Sequence, residues 1–430
     1  MILFWFRRDL RFHDNAGFYN ALIDADKVLP AFVFDESILE KLPKDDARVD
    51  FIHRHIAKMQ QESEVHGSSM CVAKGNPSKL IPQWCEEHNI TAVYTNEDYE
   101  PYATARDLKI KGILAAKGIG FKTFKDQVIF APDEVLKKDG TPYRVYTPFS
   151  RVWMAKEAED GLPEYLTAPL LNKLYKKIRP NIPTLEAMGF EKPTHHAPEP
   201  NHSLSLMDAY DAVRNFPAID GTSRLGIHLR FGTLSIRDMV KKAKKSSNPT
   251  FLKELIWREF FMQILWHFPH TTTLSFKPQY DRIEWRNNET DFSKWCEGNT
   301  GYPLVDAGMR ELNQTGFMHN RVRMLVGSFL CKHLLIDWRW GEAYFAEKLL
   351  DYEQSSNVGN WQWVAGCGVD AAPYFRVFNP TEQVKKFDKE HTYIKKWVPE
   401  YQSLDYPSPM VDHKMARLRC LETYKAGLAS

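Results

Sequence analysis

The chain has 430 residues, 43% of them hydrophobic and 26% charged, which is enough to bury two or three cores and excludes wholesale disorder. Lys and Arg number 57 against 55 Asp and Glu, a formal charge of +2, so tail-driven, histone-like nucleic-acid binding is excluded while a local basic face is not. No apolar run nears the roughly 20 residues of a bilayer span, and the opening MILFWFRRDLRFHDN lacks the cleavage site and charge order of a signal peptide.

From the N-terminus, residues 2–6, 28–34, 70–73 and 91–95 are short β-branched or aromatic runs bounded by polar residues or glycine, and they read as buried strands. Residues 49–65 and 103–117 between them have helical spacing. This alternation predicts an α/β domain over 1–130 with a parallel, Rossmann-like sheet covered on both faces. No GxGxxG follows the first strand, so the usual dinucleotide fingerprint is missing. Residues 131–202 contain Pro132, Pro142, Pro148, Pro163, Pro169, Pro180, Pro183, Pro193, Pro198 and Pro200. Proline at this density blocks helix interiors and central strands, so an irregular connector is expected there. Over 203–430 the strand signal nearly vanishes. Helical periodicity takes over at 204–216, 223–231, 236–245, 251–268, 303–314, 318–335, 341–350 and 413–424, and the prediction is a larger, all-helical domain.

Cys71, Cys85, Cys296, Cys331, Cys367 and Cys420 form no CxxC pair and no His/Cys set at metal spacing. They read as the reduced thiols of a cytoplasmic protein with no metal site. The compositional anomaly is tryptophan, with 12 in the chain. Nine crowd the C-terminal half: Trp257, Trp266, Trp285, Trp295, Trp338, Trp340, Trp361, Trp363 and Trp397.

Four constellations in that half carry chemistry-bearing residues. Thr222 or Ser223 in Gly221-Thr222-Ser223-Arg224 fits a helix N-cap, much the commoner use of such a pair, and also a phosphate seat. Glu254, Trp257 and Arg258 recur at helical spacing, either as a solvated salt bridge beside an indole or as a cleft wall. In Met318-His319-Asn320-Arg321-Val322-Arg323-Met324, an amide able to make bidentate contacts stands among two arginines and two thioethers; core packing is the commoner use of such methionines. Asp351-Tyr352-Glu353 brings two carboxylates together without a nucleophile or histidine, and Asp351 has the simpler use of neutralising Arg323. Asn357 and Gly359 ahead of Trp361 and Trp363 suit close approach to a flat ligand. With no triad, metal set or phosphate loop, the chemistry is expected to belong to an aromatic cofactor.

Taken with Leu3-Phe4-Trp5-Phe6-Arg7-Arg8-Asp9-Leu10-Arg11, Trp257-Arg258-Glu259-Phe260, Asp370-Ala371-Ala372-Pro373-Tyr374-Phe375-Arg376 and Phe378-Asn379-Pro380, these segments resemble the DNA photolyase/cryptochrome family over almost the whole chain. The resemblance is strongest to photolyases that repair cyclobutane pyrimidine dimers. It implies an N-terminal α/β antenna domain and a C-terminal helical domain holding reduced, non-covalent FAD. Carried over by position, Tyr210, Thr222, Ser223, Arg224, Leu225, Gly226, Arg323, Asp351, Tyr352, Glu353 and Asn357 would bind the cofactor. Gly226 stands where the family usually has Ser, and Asn357 where it places the residue facing flavin N5.

The resemblance also implies the lesion site. Glu254 (protonated or sharing a proton), Asn320, Met324 and Asn357 would act in catalysis, and Trp257 and Trp363 would wall a flipped dimer. Arg214, Arg258, Arg321, Arg376 and Gln383 would contact DNA. The implied reaction is light-driven and redox-neutral, an electron being lent to the dimer and returned. Trp285, Trp338 and Trp361 would relay electrons from the surface. The expected partner is UV-damaged DNA and the expected state a monomer; the alternative is a cryptochrome-type light sensor, which the absence of a long tail after 424 disfavours. A second, antenna chromophore is expected but unidentified: Tyr102 and Ala103 replace the Asn-Glu pair of folate-binding members, leaving a deazaflavin, a flavin or none.

Overall fold

The structure, a computed structural model, describes residues 1–177 and 182–429; Pro180 and Ser430 lie outside the described residues. It divides into two compact units, one of residues 1–134, 153–198 and 225–242, the other of 135–152, 199–224 and 243–430. The chain therefore passes between units more often than boundaries at 130 and 202 provide for.

The first unit is built on five parallel strands, β1 (Ile2–Phe6), β2 (Val28–Asp35), β3 (Cys71–Gly75), β4 (Ala92–Asn96) and β5 (Gly120–Phe124), in the order β3-β2-β1-β4-β5. Side chains alternate across a strand, so Phe4 and Phe6 enter one core with Phe12, Phe18 and Phe32, while Leu3 and Trp5 enter the other with Val33, Ile81 and Trp84. Burial on both faces explains why β1 and β2 read as unbroken apolar runs. The fifth strand, β5, is not among the expected ones; it is an edge strand, GFKTF, whose side chains are largely exposed. At the strand ends beyond β1 and β4, arginines and carboxylates interlock: Arg8 with Asp98 at 3.0 Å, Arg11 with Asp126 at 2.8 Å, and Arg237 with Asp126 at 2.7 Å.

The connector is less irregular than expected, since a helix spans Tyr146–Asp160. Its only proline, Pro148, lies in the first turn, where a missing N–H breaks no helical bond. The second unit is helical. Thr250–His267, Asn320–Ser328 and Trp338–Lys348 all pack against the helix Gln354–Ala365. The core among them contains Trp295, Phe329, Trp338, Phe345, Trp361 and Tyr424. The expected single helix over 318–335 is two segments, Asn320–Ser328 followed by a π-helical turn Phe329–His333. Close packing explains two glycines. A Cβ on Gly341 would stand 2.2 Å from the Trp361 ring, and one on Gly359 would stand 2.3 Å from Phe261. Gly359 thus makes room for Phe261, not for a ligand. No helix among the described residues is long and apolar enough to cross a membrane.

Candidate functional site

Three helix faces of the second unit line a cavity, with Asn320, Arg323, Asp351, Tyr352, Glu353, Asn357, Trp361 and Trp363 among its walls. A cleft adjoins it, lined by Arg214, Glu254, Trp257, Arg258, Phe261, Asn320, Met324, Ser356, Asn360 and Trp363. Asn320, Met324, Ser356, Asn360 and Trp363 belong to both walls. Residues separated by more than a hundred positions in sequence therefore meet in one place.

The helix Asn320–Ser328 supplies four of the predicted residues, and its start is fixed by His319, whose Nδ1 accepts from the Arg321 N–H at 3.1 Å. That cap requires an unprotonated Nδ1. Burial first, then the charges of Arg323, Arg321 and Arg214, push the His319 pKa down to about 4. Arg323 is held in a two-point bond to Asp351 at 3.1 and 2.9 Å and donates to the Met318 carbonyl at 2.7 Å. The pairing of Arg323 with Asp351, one of the two uses open from the sequence, is the one the fold adopts.

At the cleft end, Trp257 is stacked flat on Tyr146, with centroids 3.7 Å apart and planes 5° apart. The Tyr146 hydroxyl donates to the Lys253 carbonyl at 2.8 Å, fixing the sandwich to the helix that carries Trp257. Nothing in the sequence marks Tyr146, which stands in the proline-rich stretch far from any motif. Glu254 forms an ion pair with Arg214. Burial, then the charge of Glu254, raises Tyr210 to about 12, and the Tyr210 ring lies under the Arg214 guanidinium at 5.4 Å. Arg321 is depressed by burial and by the like charges of Arg214 and Arg376. The three cations thus share one field, an arrangement that calls for anions. Arg321 also bonds Asn215 Oδ1 at 2.5 Å. Arg376 is exposed and Gln383 half-buried on the helix Pro380–Phe387. Arg258 lines the cleft while approaching Glu353 at 3.9 Å.

Thr222 and Ser223 cap no helix. The nearby helix Gly226–Arg230 starts later, and its N-cap, Leu225, makes no side-chain cap bond. Arg224 takes φ +52 and bonds Asp220 at 3.0 Å, and its guanidinium and that of Arg323 lie over the Phe317 ring, each at 5.7 Å. Leu225 and Gly226 belong to the first unit. Among the tryptophans, Trp361 packs against Phe345 at 5.0 Å and Trp295 at 6.1 Å. Trp338 is buried, and half-buried Trp285 meets Tyr424 edge-on at 5.9 Å.

The dinucleotide implied by the resemblance fits this cavity. Indoles and a phenyl ring offer apolar walls for flat rings, Arg323 a cation for phosphate, and Asn357 an amide. The Nε1–H of Trp361, buried on the cavity wall, has no partner among the described residues. Comparison with known proteins agrees. Residues 2–168 match the family model described as DNA photolyase, and 251–405 the model described as FAD binding domain of DNA photolyase. The deoxyribodipyrimidine photo-lyase of Synechococcus sp. is 36% identical over 100% of this chain and 98% of its own length. A bacterial class III photolyase from Agrobacterium tumefaciens has TM-score 0.88 at 32% identity, covering 100% of this chain and 98% of that one. An archaeal photolyase from Sulfolobus tokodaii with two FAD molecules has TM-score 0.83 at 34% identity, covering 99% of each chain. On the family models and on full-length relatedness, this chain belongs to the DNA photolyase family.

Proposed function

We propose that the chain is a light-driven DNA repair enzyme, a deoxyribodipyrimidine photolyase that splits cyclobutane pyrimidine dimers flipped into its cleft. The observation that carries this reading is the common wall. A cleft bounded by Glu254, Asn320, Met324, Trp257 and Trp363 opens beside the cavity that fits FAD, and Asn320, Met324 and Trp363 face both.

What bound FAD supplies there is light-driven, reversible one-electron chemistry; Arg323, Asp351, Tyr352, Glu353 and Asn357 would hold it, with Tyr210, Thr222, Ser223, Arg224, Leu225 and Gly226 as further cofactor contacts. The chain does the rest. A flipped dimer loses its stacking in the duplex, and the indoles of Trp257 and Trp363 replace it. Tyr146, stacked on Trp257, keeps that indole from turning. Glu254, ion-paired with Arg214, is an acceptor and takes a pyrimidine N–H. The Asn320 amide supplies a donor to a carbonyl oxygen, where negative charge accumulates when the dimer holds an extra electron. Met324 closes the apolar wall. Arg214, Arg321 and Arg376, with Arg258 and Gln383, bind the phosphates flanking the flip, so a nearly neutral protein needs only a few placed cations. Trp361, Trp338 and Trp285 relay electrons inward from the surface. A second, antenna chromophore belongs to the same reading, as do a monomeric state and a reducing, cytoplasmic setting.

The light-sensor alternative shares the fold but gives no reason for a cleft of this composition. The experiment is blue-light illumination of the reduced, flavin-loaded protein with dimer-containing oligothymidine. Recovery of ultraviolet base absorbance is expected; intact dimers in the presence of bound, reduced flavin would refute repair.

A further inference from the structure

The segment 370–376 has no helix or strand to hold it. It ends on Arg376, whose exposed guanidinium lies over the Phe378 ring at 5.4 Å and has no ion-pair partner among the described residues. Two side-chain bonds tie its ends to the helical unit. At the start Asp370, at φ +46, accepts from the Tyr146 N–H at 3.1 Å. At the end the Arg376 carbonyl accepts from Lys332 Nζ at 2.9 Å. Lys332 stands on the π-helical turn Phe329–His333 and is 1% exposed, so its ammonium cannot itself reach a DNA phosphate. No carboxylate pairs with it among the described residues, and that carbonyl is its one hydrogen-bond partner among them. An ammonium buried without a counter-charge destabilises a fold, and burial pushes this one down to about 8. An apolar side chain would fill the same space without that penalty, so the lysine points to a use other than folding.

We propose that Lys332 is a positioning residue for DNA binding, which holds the Arg376 carbonyl from beneath and so fixes the turn that presents the Arg376 guanidinium to a phosphate. This rests on the DNA-repair reading above, in which Arg376 is a phosphate contact. Without a donor at that carbonyl the end of the segment is free to turn, and the guanidinium must be ordered at each binding event, which lowers affinity. The ammonium form serves best, because a charged donor bonds about twice as strongly as a neutral one. The grip on DNA therefore titrates with a group that DNA does not touch. The other groups facing Lys332 leave the window around 8 to it. Cys331 beside it and Tyr424 on the helix His413–Ala429 are raised well above their usual values by burial, Cys420 on that helix to about 11, and Cys367 after the helix Gln354–Ala365 to about 12. Burial takes His333 down to about 3 and lowers His413 as well. The fixed charges nearby are those of Arg376, Arg419 and Asp337.

The test is the affinity of the flavin-loaded protein for a fluorescein-labelled, undamaged duplex, titrated at about pH 7 and about pH 9 with flavin content and melting temperature alongside. K332M removes the donor and is expected to weaken binding about tenfold, the scale of one charged hydrogen bond. R376A is expected to weaken the wild type to a similar degree and K332M hardly at all, because there the contact is already lost. K332Q keeps an Nε2 donor for the same carbonyl and is expected to bind as the wild type does at the lower pH. Raising the pH is expected to weaken the wild type about threefold, as the charged donor becomes a neutral one, and to leave K332Q level. Wild-type affinity in K332M overturns the proposal. An undiminished effect of R376A in K332M is what a merely structural lysine gives, and overturns it too. Where K332M fails to fold, the pH series decides, and one profile shared by wild type and K332Q overturns the proposal. A wild type that binds no DNA, or whose affinity R376A leaves unchanged, overturns the phosphate reading of Arg376 itself, a result distinct from all of these.

Discussion

Glu254 shows how much one charge depends on its neighbour. Its ion pair with Arg214 occupies the mouth of the cleft, and both side chains are more than half covered, which spares the pair much of the screening of surface bridges. E254A removes the acceptor offered to the lesion and frees Arg214 to swing away. A loss of about tenfold in repair yield is expected, from one charged hydrogen bond of roughly 1.5–3 kcal/mol, with flavin content unchanged. Measuring quantum yield and flavin absorbance on the same sample checks both halves. Unchanged yield would remove Glu254 from the reaction. The sequence made Glu254, Trp257 and Arg258 legible as a face because helical spacing alone puts them there. Tyr146 was illegible because its stacking on Trp257 is tertiary.

The helix Asn320–Ser328 has an acid limit built into its first turn. His319 must stay neutral for its Nδ1 to accept, and its pKa of about 4 lies below the ordinary 6.5. Between those values the unfolded chain binds the proton and the folded chain does not, so stability falls as pH drops through that window. The loss is at most about 3 kcal/mol from this group, since a tenfold change in proton affinity is worth about 1.4 kcal/mol. H319N keeps a side-chain acceptor at the N-cap without a titrating ring. Denaturant unfolding between pH 7 and about 4 is expected to show a shallower decline for H319N than for wild type. Packing sets a second limit, at Gly341. G341A would press a methyl group into the Trp361 ring, and overpacking of this kind costs about 1–3 kcal/mol, to be read as a lower calorimetric midpoint. Elements with strong periodicity were visible beforehand, Thr250–His267 above all. Gln354–Ala365 was not, because its Ser, Asn and Gly residues disfavour helix; packing against three other helices overrides that propensity. The edge strand β5 was lost for the opposite reason, having too little apolar surface to announce itself.

For the molecule as a whole, charge placement matters more than charge total. With a net charge of +2, the proposed affinity for DNA would rest on the shared field of Arg214, Arg321 and Arg376. R376A is expected to weaken binding of any DNA sequence and to reduce the slope of log affinity against log salt by about 0.9, the value for a single phosphate left unneutralised. Fluorescence titrations at several salt concentrations measure that slope; an unchanged value would place Arg376 off the phosphates. The parallel sheet and the helical remainder were readable from sequence, but the crossings of the chain between units were not. They depend on which helices find partners, and periodicity does not encode partners.

The wall common to the cavity and the cleft has a consequence in equilibrium terms. Asn320, Met324, Ser356, Asn360 and Trp363 touch whatever fills either space, so cofactor and lesion are effectors of one another, and a thermodynamic cycle forces the two effects to be equal. If FAD tightens the hold on a dimer by some factor, a dimer must tighten the hold on FAD by the same factor. Damaged DNA is therefore expected to protect the protein against flavin loss in dilute solution, and undamaged DNA is not. Dissociation constants for dimer-containing DNA with and without flavin, set against flavin retention with and without that DNA, close the cycle experimentally. Two ratios both equal to one would mean that the common wall does not transmit occupancy.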